Sequence, residues 1–533
     1  MTHNYIQSFP YNTVRAEQDT AIQFALDAFI EQDKKYVIIE AGTGVGKSAI
    51  GWTIADHYNE TIEGTGTYYL TTQKVLQQQY MKDFSSLGMK TLEGSSNYKC
   101  KYYKTKSCQE SRKLLQVSKD SKFKAACAGS CRYTQNKKSF LEGAHGVTNF
   151  SYFLAETTYA QQLEKRTMLV IDECHNAELQ LGSFVEVSIS EQFAKNALKI
   201  PIPELKTQYQ VFKWITDVYR PKLHALKKHQ EMTIEKLMKG KELTEFLKLS
   251  KQFDLIDKHL CKLDRFIDRY DKDNWVMNEG ESENRHMRKW TFKPIDVAPY
   301  SEEYLFRHAD KVLMMSATII DKDAFCTILG IDQSDCVFLT IPSPFPHENH
   351  PILFSPVGSM AMSQIQGTLP VMAEAVKAIL KNHPKEKGII HCNSYKVARY
   401  LQNNIRSRRL IFHQSHDREA ALKRHMNSDK PTVLVSPSMQ EGVDLKGDLS
   451  RFQVICKVPY PYLGDKLVKK RMHKWKWWYP LQTAKVLIQS VGRSVRSADD
   501  TAITYILDGD WHRFYSRNKK LFPENFNKSV QNV

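Results

Sequence analysis

Between Tyr36 and Ser48 the chain reads YVIIEAGTGVGKS, an apolar run followed by alternating glycines and a Lys-Ser pair. Few segments restrict a fold so tightly. The apolar run suits a buried strand, the glycines allow an abrupt turn, and a helix can begin at Gly46-Lys47-Ser48. In such a turn backbone N–H groups close around phosphates, Lys47 brings a point charge to the β/γ oxygens, and Ser48 offers a hydroxyl to Mg2+. Ala41, Gly42, Thr43, Gly44, Val45, Gly46, Lys47 and Ser48 are therefore candidate nucleotide-binding residues. Ala41 departs from the glycine usual at that position, and the string alone also fits a plain strand-to-helix turn. A second string, MLVIDECH from Met168 to His175, puts two carboxylates at the end of another apolar run. There Asp172 can hold the metal with Ser48, and Glu173 can orient and deprotonate an attacking water. The two strings in this order point to ATP.

Strand-like runs recur at Tyr36 to Glu40, Thr67 to Thr71, Met168 to Asp172 and Lys311 to Ser316. A second set lies at Gly388 to His391, Thr432 to Ser436, Phe452 to Val458 and Ala502 to Leu507, with helical intervals at Ser394 to Arg406 and Leu481 to Val491. Strands alternating with helices predict an α/β fold with two parallel-sheet domains. The stiff stretch Pro342-Ser343-Pro344-Phe345-Pro346 marks the boundary between them. The expected partition gives the first domain residues 1–96, 143–190 and 285–341, and the second 342–533. A basic, cysteine-bearing insertion covers 97–142, and a longer insertion, 191–284, is rich in helix formers, with helical hairpins expected. The interval Asp271 to Arg288 is polar and reads as a loop.

The net charge of +17 calls for a polyanionic partner. Between Tyr98 and Phe140 twelve Lys/Arg face two acids, so most of that charge sits in the first insertion, where phosphates would be met. No apolar run is long enough to span a bilayer, which needs about 18 residues, and no leader pattern opens the chain; a soluble intracellular protein is expected. Ten cysteines without a secretory signal are thiols or metal ligands rather than a disulfide scaffold.

Further strings fall in order: Arg15 and Gln18 in YNTVRAEQ, Thr71-Thr72-Gln73, VTNFSYFL from Val147, Ser316-Ala317-Thr318, His391-Cys392-Asn393-Ser394, Glu441-Gly442-Val443-Asp444-Leu445, and QSVGRSVR from Gln489. On a helix the last would align Gln489, Arg493 and Arg496 on one face, where the two guanidinium groups can act as arginine fingers if the second domain closes on the first. The set resembles superfamily 2 helicases of the XPD/DinG-like, iron-sulfur-containing branch, over nearly the whole chain. That resemblance implies two RecA-like motor domains closing on ATP, with Arg15, Gln18 and Asp444 also at the nucleotide. It implies Ser316 and Thr318 coupling that site to DNA, and Glu441, Gly442 and Asp444 along the strand path.

It further implies monomeric, 5′→3′ travel on single-stranded and forked DNA, with the cysteine insertion and an arch-like helical insertion where the duplex splits. Cys100, Cys108, Cys127 and Cys131 lie where that family carries a 4Fe-4S cluster; four thiolates suit iron-sulfur or structural zinc, and unliganded thiols are a third reading. Cys174, Cys261, Cys326, Cys336, Cys392 and Cys456 read as small buried hydrophobes. In Lys466 to Tyr479, KLVKKRMHKWKWWY, basic and aromatic side chains suit a single-strand groove, and the tryptophans equally suit a domain interface. Rival readings are a translocase that remodels RNA-DNA hybrids or protein-DNA complexes, a nuclease with helicase-like domains, and a nucleic-acid-binding module with a dead ATP site. With only about forty residues ahead of the P-loop and nothing appended after the last motif, the nuclease is disfavoured. Intact Lys47, Asp172, Glu173 and Arg493 disfavour the dead site.

Overall fold

A computed structural model describes residues 3–42, 44–240, 242–281, 287–437, 445, 447–495 and 499–532. In chain order β1 (Tyr36–Ala41), β2 (Thr67–Thr71), β3 (Lys90–Thr91), β4 (His145–Asn149) and β5 (Arg166–Asp172) come first. They are followed by β6 (Val187–Ser190), β7 (Trp275–Glu281), β8 (Arg288–Pro294), β9 (Ala309–Ser316) and β10 (Cys336–Ile341). The order β10-β1-β9-β5-β2-β4-β3 makes one sheet, parallel throughout. Val37, Ile38 and Ile39 of β1, and Leu169, Val170 and Ile171 of β5, are fully buried. Central strands of a parallel sheet are covered by helices on both faces, so they read as continuous apolar runs, each such side chain contributing about 1.5–3 kcal/mol by leaving water.

The second sheet comprises β11 (Ile352–Gly358), β12 (Gly388–His391), β13 (Leu410–Phe412), β14 (Val433–Ser436), β15 (Phe452–Ile455), β16 (Ile503–Asp508) and β17 (Val530–Asn532). Its order is β13-β14-β12-β15-β16-β11-β17, again all parallel. The two-domain α/β expectation is met.

The insertions differ in part from expectation. Residues after 191 form helices, the longest being Arg220–Lys239 and Leu243–Asp268. The segment expected as a loop, Asp271 to Arg288, instead contains β7 and the start of β8, which pair antiparallel and join β6 in a three-stranded sheet. Trp275, Val276 and Met277 of β7 are buried, as are the alternate residues Trp290 and Phe292 of β8, and these short apolar stretches were masked by the polar residues on either side of them, 271–274 and 278–289. Cys174, Cys326, Cys336, Cys392 and Cys456 are buried as expected, while Cys261 is half-buried.

Candidate nucleotide site and strand path

β1 delivers the chain to the glycine turn, and the helix Lys47–Thr61 leaves it, with Gly46 as the left-handed cap (φ +89°). Its open N-terminus presents unpaired N–H groups and a partial positive charge to an anion. The turn is clasped from below. Arg15 donates from Nη1 to Gly44 O at 2.9 Å and from Nη2 to Val45 O at 2.6 Å, and Gln18 Nε2 donates to Val45 O at 3.0 Å. A Cβ on Gly46 would lie 2.5 Å from Gln18 Nε2, so only glycine admits the clasp. On the other side Phe345 of the interdomain linker approaches so closely that a Cβ on Gly44 would lie 2.1 Å from its Cζ. Lys47 Nζ rests on Ala41 O at 3.3 Å. Arg15 and Gln18 thus shape the loop from outside.

At the end of β5, Asp172 is buried and Glu173 adopts the left-handed conformation (φ +51°), its N–H donating to Asp172 Oδ1 at 2.9 Å. Burial, then the neighbouring Glu173 charge, pushes the Asp172 carboxyl up. Burial would raise Glu173 too, but the hydrogen bond from His175 and the charges of Lys47 and Arg493 outweigh it and hold that carboxyl low. A buried acid pair pushed in opposite directions is a site short of positive charge, which fits a divalent cation held by Asp172 and Ser48. Tyr80 reaches the same place: its buried hydroxyl donates to Asp172 Oδ2 at 3.2 Å and also meets Ser48.

His175 ties the carboxylates to both domains. Its Nε2 accepts from Asn176 Nδ2 and from Gln489 Nε2, each at 2.9 Å, so Nδ1 carries the proton, 2.7 Å from Ser316 Oγ and 3.2 Å from Glu173 Oε2. Gln489 Nε2 also donates to Thr318 Oγ1 at 3.1 Å, and Lys485 Nζ donates to His175 O at 2.8 Å. The DECH, SAT and QxxGR strings therefore meet in one network. The last is not wholly helical, however. The helix Trp478–Val491 ends before Gly492, so Arg493 sits in the turn beyond it, near enough to act on Glu173. Thr43, Glu441, Gly442, Asp444 and Arg496 lie outside the described residues. Tyr80, His175 and Lys485 were not singled out from sequence. Only His175 had a signal, its place in the DECH string.

In the first insertion Cys108 Sγ and Cys131 Sγ are 3.7 Å apart, and Cys100 and Cys127 belong to a small apolar cluster with Phe123 and Phe246. Burial, then Cys131, pushes the Cys108 thiol up to about 12. The donors suit a four-thiolate centre, yet no three His, Cys, Asp or Glu converge on one point among the described residues. Lys113 to Asp254 (2.6 Å) and Lys251 to Glu110 (2.5 Å) pin this insertion to the helix Leu243–Asp268.

The basic segment divides by face. On the helix Lys466–Lys474, Arg471 pairs with Glu178 and donates from Nε to Ile295 O at 2.8 Å, while Lys474 meets Asp296 at 2.6 Å. Trp475, Trp477 and Trp478 pack on the first domain's core. These residues join domains, whereas Lys469, Lys470 and Lys476 stay exposed.

Two parallel-sheet domains thus meet at a phosphate-type loop, a carboxylate pair and a glutamine-bearing helix, an arrangement suited to a nucleoside triphosphate with its metal. Residues 12–200 match the family model of the type III restriction enzyme res subunit, and residues 376–529 match the helicase C-terminal domain. The chain is 24% identical to the ATP-dependent DNA helicase YoaA of Escherichia coli over 40% of its own length and 35% of that protein's. It is 25% identical to the ATP-dependent DNA helicase DinG of Photobacterium profundum over 44% and 36%. It thus spans about a third of the length of these curated relatives. A solved XPD helicase shares the fold, with a TM-score of 0.65 at 15% identity, covering 98% of this chain and all of that one. In its motifs, in the two family models it matches and in its fold, the chain is similar to the XPD/DinG-like helicases. No described helix is long and apolar enough to cross a membrane.

Proposed function

We propose that this chain is an ATP-dependent DNA helicase that moves 5′→3′ along a single strand and separates the duplex ahead of it. The observation that carries the reading is the His175 network, which binds the carboxylates at the end of β5 to Ser316 and Thr318 and to Gln489 of the other domain. A site shared by two domains can turn nucleotide binding and release into closing and opening. Lys47 and the helix N-terminus would bind the phosphates, and Arg15, Gln18 and Asp444 would support the nucleotide loop. Glu173 would orient the attacking water, and Arg493 and Arg496 would act on the γ-phosphate with Gln489. A magnesium ion on Ser48 and Asp172 would neutralise phosphate charge.

The motor halves are 1–96, 143–190 with 285–341, and 342–533, carrying the insertions 97–142 and 191–284. The basic insertion and exposed Lys469, Lys470 and Lys476 would face phosphates of single-stranded and forked DNA. Cys100, Cys108, Cys127 and Cys131 would hold a 4Fe-4S cluster, supported by their sharing one insertion and by the absence of paired CxxC spacing. Anaerobic protein should carry about four irons and four sulfides per chain, lost in Cys100→Ser; zinc or no metal would remove the cluster. Strand displacement on overhang substrates tests the whole reading. Unwinding from a 5′ overhang, abolished by Lys47→Ala, is expected. Unwinding only from a 3′ overhang reverses the polarity, and ATP-driven protein displacement without unwinding would favour a remodelling translocase.

A further inference from the structure

Glu40, the residue before the phosphate loop, takes no part in the network described above, yet it is the most heavily engaged carboxylate near the loop. β1 pairs with β9 and β10 so that Glu40 lies beside Ser316 on one side and Thr340 on the other. Its Oε1 accepts from the backbone N–H groups of both Ile319 and Ile320, each at 2.7 Å. Burial pushes this carboxyl up, and those two N–H groups oppose the shift.

The segment it holds is strained. Ile320 has φ +71°, and Asp321 N–H closes a bond onto Ile319 O at 2.9 Å, two residues back. This is the rare form of the γ-turn, and a β-branched residue at its centre is a strained outlier that persists only where its surroundings impose it. The consequence of the turn lies across the domain boundary. The Ile320 side chain leaves the first domain and packs against the second domain's cluster containing Ile352, Ile455, Val458, Ala484 and Leu487. Ala484 and Leu487 belong to the helix that carries Gln489.

We propose that Glu40 and Ile320 form a strained peg that ties the phosphate loop to the second domain, and that strand binding reaches the nucleotide site through it. Both are positioning residues: Glu40 sets the turn, and the turn drives Ile320 into the neighbouring core. A shift of the loop on phosphate binding moves Glu40 through β1, and a shift of the second domain moves Ile320. The His175 network touches side chains at the same boundary, whereas this link acts through the backbone of β1 and needs no proton transfer.

The inference rests on the motor reading above, and the test separates the two. Nucleotide affinity, basal ATP hydrolysis and hydrolysis with saturating single-stranded DNA are measured for the wild type, Ile320→Ala, Glu40→Ala and the double variant. Ile320→Ala keeps the turn and removes the peg, so nucleotide affinity and basal hydrolysis stay within about twofold while DNA stimulation falls at least tenfold. Glu40→Ala, which removes the acceptor of both N–H groups, gives the same signature, and the double variant is no worse than the more affected single one, because the two act as one unit. Ile320→Val, which stays closest to the native core, gives a smaller loss of the same kind. Full stimulation in both single variants, additive losses, or loss of nucleotide binding in parallel would overturn the peg. A wild type that is not stimulated by DNA overturns the motor reading itself, and the peg with it.

Discussion

At the scale of single residues the nucleotide site depends on side chains that hold other side chains. Tyr80 is the clearest case. Its hydroxyl stays protonated because burial and the Asp172 charge both disfavour the phenolate, so it can only donate toward that carboxylate. A hydrogen bond to a charged group is worth about 1.5–3 kcal/mol. Tyr80→Phe should therefore raise the magnesium concentration needed for half-maximal nucleotide binding by about tenfold, with little effect on the fold; an unchanged magnesium requirement would show that Asp172 is held without it. Lys47, Asp172 and Glu173 were legible in the sequence because a phosphate loop and a strand-ending acid pair are local patterns. Tyr80 and Ile320 were not, since neither stands in a spacing that predicts its partner. Their contacts arise only when β1, β5 and β9 lie side by side.

At the scale of elements the helix Lys466–Lys474 shows how one basic segment serves two ends. Arg471 is largely buried against Glu178, and removing one member of such a pair strands the other, at a cost of about 3–5 kcal/mol. Arg471→Ala should lower the unfolding temperature and weaken the seating of the second domain. Replacing Lys469, Lys470 and Lys476 together should leave stability alone, weaken single-strand binding, and reduce its salt slope by about two. Equal DNA affinity in that triple variant would assign this helix to packing alone. From sequence the two roles could not be divided, because the division follows helix faces set by what the helix docks on. The hairpin of β7 and β8 was hidden for a related reason. Its buried tryptophans stand in polar surroundings that suggest a loop until the two strands pair and β6 adds to the other edge of β8. The QxxGR string also looked fully helical, but the helix stops at Val491 and leaves Arg493 in the turn that faces Glu173.

At the scale of the whole molecule the two parallel sheets were the most legible feature, since strands buried on both faces announce themselves as unbroken apolar runs. What periodicity could not give was the way the halves meet. That boundary is polar at its centre, through His175, Gln489, Thr318 and Lys485, and apolar at its flanks, through Ile320 on one side and Trp475, Trp477 and Trp478 on the other. Polar contacts of this kind exchange readily with water, whereas the tryptophans join the halves by apolar packing. The central claim is that strand binding and ATP hydrolysis are coupled across this boundary, and steady-state ATP hydrolysis measured against increasing single-stranded DNA tests it most directly. The account predicts a rate that rises at least tenfold to saturation and vanishes in Lys47→Ala. A protein that binds both nucleotide and DNA but hydrolyses ATP at one rate, with or without the strand, would contradict it.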